Sequence, residues 1–270
     1  MKFFSSFNLP IQNWKNKKIW VIGASSGIGL SLSKALLQQE AKVALTSRNA
    51  KSLENIASQH FENSIGLPAN VENLDELSKS FKMIQKSWSD IDLVIYSAAL
   101  YQPMRSWEIG HPMAIQINNV NLTGLLNVLS LVVPHFYSTK QGHIAIVSSL
   151  AGYFGMPNSL IYGATKAALI NLAETLYVEL RPKGIGVHLI NPGFVKTRLT
   201  EKNDFNMPFL ISTEEATKQI ILGLEKGQFE IHFPKRLSWL IKLIKLLPYR
   251  IYFSIMSVIS RNVSNADKNH

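Results

Sequence analysis

Residues 18–37 read KIWVIGASSGIGLSLSKALL, and the fold turns on how they are read. KIWVIG, at 18–23, is a short apolar run of the length of a buried strand. A helical pattern begins near Ile28. Between them stand Gly23, Gly27 and Gly29, spaced G-x-x-x-G-x-G. Glycine at a strand-to-helix turn permits a sharp bend and lets the backbone come close to a phosphate. The helix behind it offers unpaired N–H groups and a positive dipole end to a pyrophosphate. An ordinary glycine-rich turn is the competing reading. Position weighs against it, because this is the first strand, the first helix and a single βαβ unit.

Outward from the turn, short apolar runs alternate with longer helical stretches. KVALTS (42–47), DLVIYSA (92–98), HIAIVSS (143–149) and GVHLINP (186–192) read as buried strands. The segments around 64–70 and 229–234 are weaker candidates. Helices are expected near 28–39, 50–61, 73–88, 112–137, 159–181 and 213–226. This alternation predicts an α/β fold, a Rossmann-like doubly wound parallel sheet of about seven strands with helices on both faces. Residues 1–234 read as one domain, with 1–17 as an N-terminal arm. Residues 235–270 read as a helical tail of different character.

Composition narrows the chemistry. The chain of 270 residues has no cysteine, which excludes disulfides, thiolate nucleophiles and Cys-ligated zinc. Its seven histidines show no close ligand spacing, so no metal site is expected. The net charge of +10 is uneven. Residues 1–39 carry five lysines and no acid, whereas 235–270 carry seven Lys/Arg against one Asp. The near-neutral centre argues against nucleic-acid binding, and the basic ends point to a surface role at anionic lipid. The apolar start is short, broken by Asn8 and Pro10, and lacks a small-residue cleavage site. It reads as an arm on a cytoplasmic protein.

Residues 162–166 read YGATK. On a helix Tyr162 and Lys166 lie one turn apart on one face. At roughly 4 Å and an effective dielectric near 20, an ammonium stabilises a phenolate by about 4 kcal/mol. That predicts a phenol moved from about 10 towards about 7. A solvated helix face is the plain alternative, and the neighbouring motifs decide between them. VNLTG (120–124) and IVSSLAG (146–152) lie upstream, and NPGFVKT (191–197) lies downstream.

In this order, together with GASSGIG, these segments resemble the short-chain dehydrogenase/reductase family, in its single-domain branch, over roughly residues 15–234. The resemblance implies hydride transfer between a nicotinamide dinucleotide and a carbonyl or alcohol. It places the family's catalytic groups on Asn121, Ser149, Tyr162 and Lys166. Ser149 and Tyr162 would hold the carbonyl oxygen while Tyr162 gives its proton. Lys166 would lower the phenol's pKa and hold the nicotinamide ribose. Asn121 would orient a water relaying protons to Lys166. Cofactor contacts are implied at Gly23, Ser25, Ser26, Gly27, Ile28 and Gly29 in the turn, and at Ser47 and Arg48 after the second strand. Asn70 and Val71 fall beside the adenine, and Ala98 follows the fourth strand. Pro192, Gly193, Val195 and Thr197 join Tyr162 and Lys166 around the nicotinamide. The helices near 112–137 and 159–181, with Ala164, Ala167, Ala168 and Ala173, are those the family pairs across a two-fold, so a homodimer or homotetramer is implied.

Three departures stand out. Ile22 replaces the threonine usual before the first glycine. Tyr96-Ser97-Ala98-Ala99 replaces the usual NNAG. Asn70 replaces the usual aspartate. The first two places are joined by hydrogen bonding in the family, so apolar packing of Ile22 is expected to hold the turn instead. The second strand ends Thr46-Ser47-Arg48, without the carboxylate that would bind ribose hydroxyls. Arg48 can pair with a 2′-phosphate, so NADP(H) is expected over NAD(H).

The substrate segment TRLTEKNDFNMPFLIS (197–212) is either an apolar pocket wall or a loop packed on its own core. Arg105 and Arg198 could meet a carboxylate or phosphate. A carbonyl or alcohol of apolar, lipid-like character is the leading substrate. A sugar or small polar ketone, or a dinucleotide-binding sensor without turnover, are the alternatives. In the tail, Lys235, Ser238, Lys242 and Lys245, then Arg250, Ser254, Ser257 and Arg261 beyond Pro248, step by three or four. They predict two helices, each with a narrow polar stripe and a broad apolar face. The uncharged run 251–260 is too short to span a bilayer. Two readings stand, and they can coexist: the pair lies peripherally on the inner face of a membrane with its cations towards anionic headgroups, or it packs on the domain or on a partner subunit and roofs the site.

Overall fold

A computed structural model describes residues 6–203, 205 and 207–266, with side chains as far as Ser260. The first five residues of the arm, Asp204 and Asn206 of the substrate segment, and the side chain of Arg261 lie outside the described residues. Strand β1 (Lys18–Ile22) sits between β2 (Lys42–Thr46) and β4 (Leu93–Tyr96), parallel to both. The other strands are β3 (Ser64–Gly66), β5 (His143–Val147), β6 (Gly186–Pro192) and β7 (Glu230–Phe233). Sheet order is β3-β2-β1-β4-β5-β6-β7 with every pair parallel. Winding reverses between β1 and β4, so a crevice opens at the carboxyl ends of these two strands.

Side chains alternate across the sheet and fill two cores. Ile19 and Val21 pack with Leu32 and Leu36 of α1 (Gly27–Gln38) and with Ile220 and Leu224 of α7 (Thr213–Glu225). Trp20 and Ile22 face α3 (Leu74–Trp88), α5 (Gly124–Thr139) and α6 (Leu160–Leu180) through Leu77, Val128 and Leu169. Burial of each such side chain stabilises by about 1.5–3 kcal/mol. Helix α2 (Ala50–Gln59) follows β2 and starts at Asn49, whose side chain accepts from the Ser52 N–H. The arm is tied beneath β6, where the Asn8 amide exchanges two hydrogen bonds with the backbone of Val187.

The helix expected over 112–137 is not a single regular one. It runs as α4 (His111–Asn118), a π-turn over Asn119–Thr123, then α5. Tyr96, at the end of β4, gives the cause. Its buried hydroxyl donates to the Val120 carbonyl at 2.5 Å, and a Cβ at Gly124 would lie 2.4 Å from that oxygen. A side chain thus takes a carbonyl of the helical ladder, and the turn widens. By length and composition, the stretch His111–Thr139 could cross a membrane. Here it packs on the sheet through Ile117, Leu125 and Val132.

Helices α8 (Lys235–Lys245) and α9 (Tyr249–Ala266) complete the chain. Leu237 and Ile241 of α8 join the core on the α6 side.

At the far end of the sheet, His143 Nδ1 and His188 Nε2 lie 3.1 Å apart with their rings stacked. Burial, with Lys17 opposing and Asp92 favouring the charge, lowers His143 to about 4. Burial and His143 lower His188 to about 3. Both values lie below that of an unfolded histidine, so between about 6.5 and these values the unfolded chain binds more protons. Stability is therefore whole above about 6.5 and declines as pH falls from there. The urea midpoint should drop steadily between pH 6.5 and 4.5, and a flat midpoint over that range would contradict it.

Candidate active site

The crevice at the β1/β4 reversal is a cleft of about 490 Å³. Its floor is the β1–α1 turn. Gly23 has φ +93°, and a Cβ there would lie 2.6 Å from the Ala98 nitrogen. A Cβ on Gly29 would lie 2.3 Å from the Gly23 carbonyl oxygen. Only glycine lets these three backbones meet. Gly29 therefore lies beneath the turn rather than on the cleft wall, while Gly23, Ser25, Ser26, Gly27 and Ile28 line it. Ser26 precedes the helix without making a side-chain cap. The first N–H groups of α1 accordingly keep donors for a ligand, at the positive end of the helix.

The turn is steadied where the sequence departs from its family. Ile22 is fully buried, and its carbonyl accepts from the Ser97 N–H at 2.8 Å. The anchor is therefore apolar packing plus backbone bonds, since the N–H groups of Gly23 and Ala24 also donate to the Thr46 carbonyl.

On one side of the turn, Ser47 and Arg48 line the cleft; Ser47 Oγ accepts from the Asn49 N–H, and Arg48 is exposed. Asn70 and Val71 follow. The Asn70 side chain accepts from the Glu72 N–H, and its own N–H donates to Glu76. Ala98, Pro192, Gly193, Val195 and Thr197 complete the wall, and Arg198 also reaches it.

On the other side lie Ser149, Tyr162 and Lys166. Ser149 follows β5, and its Oγ accepts from the Ala151 N–H at 3.1 Å. Tyr162 and Ser149 both line the cleft, and Ser149 Oγ also donates to the Pro192 carbonyl at 3.4 Å. Lys166 is buried, donates to the Val147 carbonyl at 2.9 Å and lies 5.4 Å from the centre of the Tyr162 ring. The neighbouring Ser148 donates to the Lys166 carbonyl at 2.8 Å. These contacts fix both elements against each other.

The geometry corrects the expected titration. Burial pushes Tyr162 up to about 12, against a lowering by the Ser149 hydrogen bond. Burial pulls Lys166 down to about 7. Lys166 aims its ammonium at a carbonyl rather than at the phenol oxygen, so loss of water outweighs the charge pairing that spacing alone implied. At neutral pH Tyr162 is a phenol that holds a proton to give.

Asn121 is held by bonds of its own. It is fully buried in the π-turn, behind the cleft wall. Its amide clasps Leu100 in both directions, accepting at 2.7 Å and donating at 3.0 Å, and donates to Thr165 Oγ1. Its side chain joins the β4–α4 loop to α6.

Two groups had no signal in the sequence. Tyr101 sets its ring edge-on to Tyr162, with centroids 4.8 Å apart, and its hydroxyl donates to Asn203. Lys202 donates to the Tyr101 carbonyl. The loop after β4 and the substrate segment therefore meet beside Tyr162. Behind Ser149, Tyr153 donates to Glu230, which also accepts from Asn191 and from Lys242 of α8. Burial opposes the Glu230 charge, yet the bonds from Lys242, Tyr153 and Asn191 hold its carboxyl below the usual range. Lys242 thus points inward, contrary to a stripe of cations facing headgroups. Arg105 is buried, donates to Ser260 and lies over Trp107. It is engaged with the protein rather than displayed for a substrate anion.

The short chain dehydrogenase family model matches residues 17–207. The chain belongs to the short-chain dehydrogenase family. It is an NAD(P)-dependent oxidoreductase of that family. An uncharacterized oxidoreductase of Myxococcus xanthus is 31% identical over 235 residues, 86% of this chain and 93% of that one. A short chain dehydrogenase from Burkholderia cenocepacia, solved in complex with NADP, superposes with a TM-score of 0.79 at 23% identity. That match covers 91% of this chain and 99% of the other. A short chain dehydrogenase/reductase from Burkholderia phymatum, in complex with NAD, gives 0.79 at 19% identity, over 86% and 94% of the two chains.

Proposed function

We propose that the chain is an NADP(H)-dependent reductase of an apolar carbonyl compound, with residues 1–234 as its catalytic domain and 235–270 as its tail. The observation that carries this reading is the convergence of Ser149, Tyr162 and Lys166 on the cleft whose floor is the Gly23–Gly29 turn.

The turn and the uncapped start of α1 fit a pyrophosphate, and Arg48 beside Ser47 fits a 2′-phosphate. When bound, the nicotinamide supplies the hydride. Ser149 donates a hydrogen bond to the carbonyl oxygen, and Tyr162 donates both a hydrogen bond and the proton that completes the alcohol. Lys166 would hold the nicotinamide ribose. Asn121 keeps the loop after β4 in register with α6. The Tyr101 ring against Tyr162, and the apolar groups of the substrate segment beyond it, Phe205 edge-on to Phe194 and Met207 beside Asn203, favour an apolar substrate over a sugar.

The protein is read as a cytoplasmic homo-oligomer with its tail meeting a membrane at the inner face. Outward Ala164, Ala167 and Val178 on α6, with Leu126 on α5, suit a two-fold contact. Light scattering at micromolar concentration should give at least twice the 30.3 kDa chain mass, and a monomer would contradict this.

Tyr162→Phe should lower kcat for carbonyl reduction by about 10²–10⁴-fold while NADPH still binds. Unchanged turnover would refute the proton-donor role. NADPH should bind more tightly than NADH, and Arg48→Asp should abolish or reverse that order. Tighter NADH binding by the native protein would refute the assignment of Arg48.

A further inference from the structure

Helices α8 and α9 turn polar groups inward. Ser238 meets His232 Nδ1 at 2.6 Å, Lys242 meets Glu230, and Arg105 reaches Ser260 at 3.1 Å. The Tyr252 hydroxyl donates to the Gly155 carbonyl. The outward face is left apolar. Trp239 is 62% exposed, Leu243 61%, Leu246 81%, Tyr249 76% and Phe253 57%. Tyr249 and Phe253 stack on the surface with centroids 5.4 Å apart. A contiguous apolar patch of this kind marks a site of contact.

The charges around the patch decide its occupant. Lys235, Arg236 and Arg250 are exposed along the same two helices, and no Asp or Glu occurs between residues 235 and 260. A second copy seated by two-fold symmetry would set these cations against themselves. An anionic lipid surface complements them, and exposed Trp and Tyr suit the headgroup level.

We infer that the outer face of α8 and α9 docks on an anionic bilayer, and that the carbonyl compound reduced in the cleft is drawn from that bilayer. The second half rests on the reductase reading above. The inner side of α9 supplies the route. Tyr252 packs edge-on against Phe154, with centroids 5.4 Å apart, and Phe154 lies on the loop that begins at Ser149. Arg105, held by Ser260, lies on the loop that carries Tyr101. One helix therefore touches the bilayer with one side and both loops flanking Tyr162 with the other. The bonds that Lys242 and Tyr153 donate to Glu230 fix the orientation of the preceding helix, α8.

The test uses the full chain and two kinds of vesicle, phosphatidylglycerol and phosphatidylcholine. The protein should sediment with the anionic vesicles at low salt and be released by salt. The double variant Leu243→Glu, Phe253→Glu should bind at least tenfold more weakly. With NADPH, that variant should reduce propanal in buffer at the native rate but lose at least tenfold on tetradecanal held in anionic vesicles. A native protein that stays in solution, or a double variant that binds as well as native, overturns the docking. A variant that leaves vesicle binding unchanged but dissociates an oligomer gives the face to a second copy and overturns the docking too. Equal rates for both proteins on vesicle-held tetradecanal overturn the delivery. Vesicle binding without turnover of either aldehyde sinks the reductase reading and leaves the docking standing.

Discussion

The close meeting of three backbones at the β1–α1 turn is the constraint on which the site depends. Parallel pairing of β1 with both β2 and β4 fixes where β1 ends. The next residue must then turn under Ala98, in a space that admits no side chain at Gly23. Helix α1 starts above that contact, so its free N–H groups face the crevice. β5 lies beside β4 in register, which brings Ser149 to the same end of the sheet, and α6 packs back to deliver Tyr162 and Lys166. A side chain at Gly29 would push α1 off the turn and move the phosphate-facing donors.

Burial governs the chemistry of the other wall. A phenol and an amine one helical turn apart could in principle share charge. In this fold both are drawn towards their neutral forms. That favours Tyr162 as the donor for reduction. A bound dinucleotide would bring its phosphates into the cleft, and hydride loss would leave its ring positively charged in the same low-dielectric space, where each charge acts strongly.

Most of the sheet could be read from the chain, because buried parallel strands are short apolar runs set between helical stretches. The residues lining the cleft were legible through the motif order, since glycines and small polar groups after a strand have few other uses. What could not be read depends on contacts between distant segments. The π-turn exists because Tyr96 reaches Val120, and helical periodicity is blind to an inserted hydrogen bond. The roles of Glu230 and Tyr101 come largely from partners far along the chain, Tyr153 at 77 residues and Asn203 at 102. The tail's two polar stripes were visible, but amphipathicity alone does not say which face turns inward. Glu230 turned the stripe of α8 towards the domain.

The central claim is that this cleft passes a hydride to a carbonyl carbon while Tyr162 supplies the proton. The most direct test incubates the native protein with NADPH deuterated at the transferring position of the nicotinamide and a panel of aldehydes and ketones, with products read by mass spectrometry. The account predicts an alcohol carrying one deuterium on its carbinol carbon, formed in step with NADPH loss. Tight NADPH binding with no deuterated alcohol from any member of the panel would contradict it.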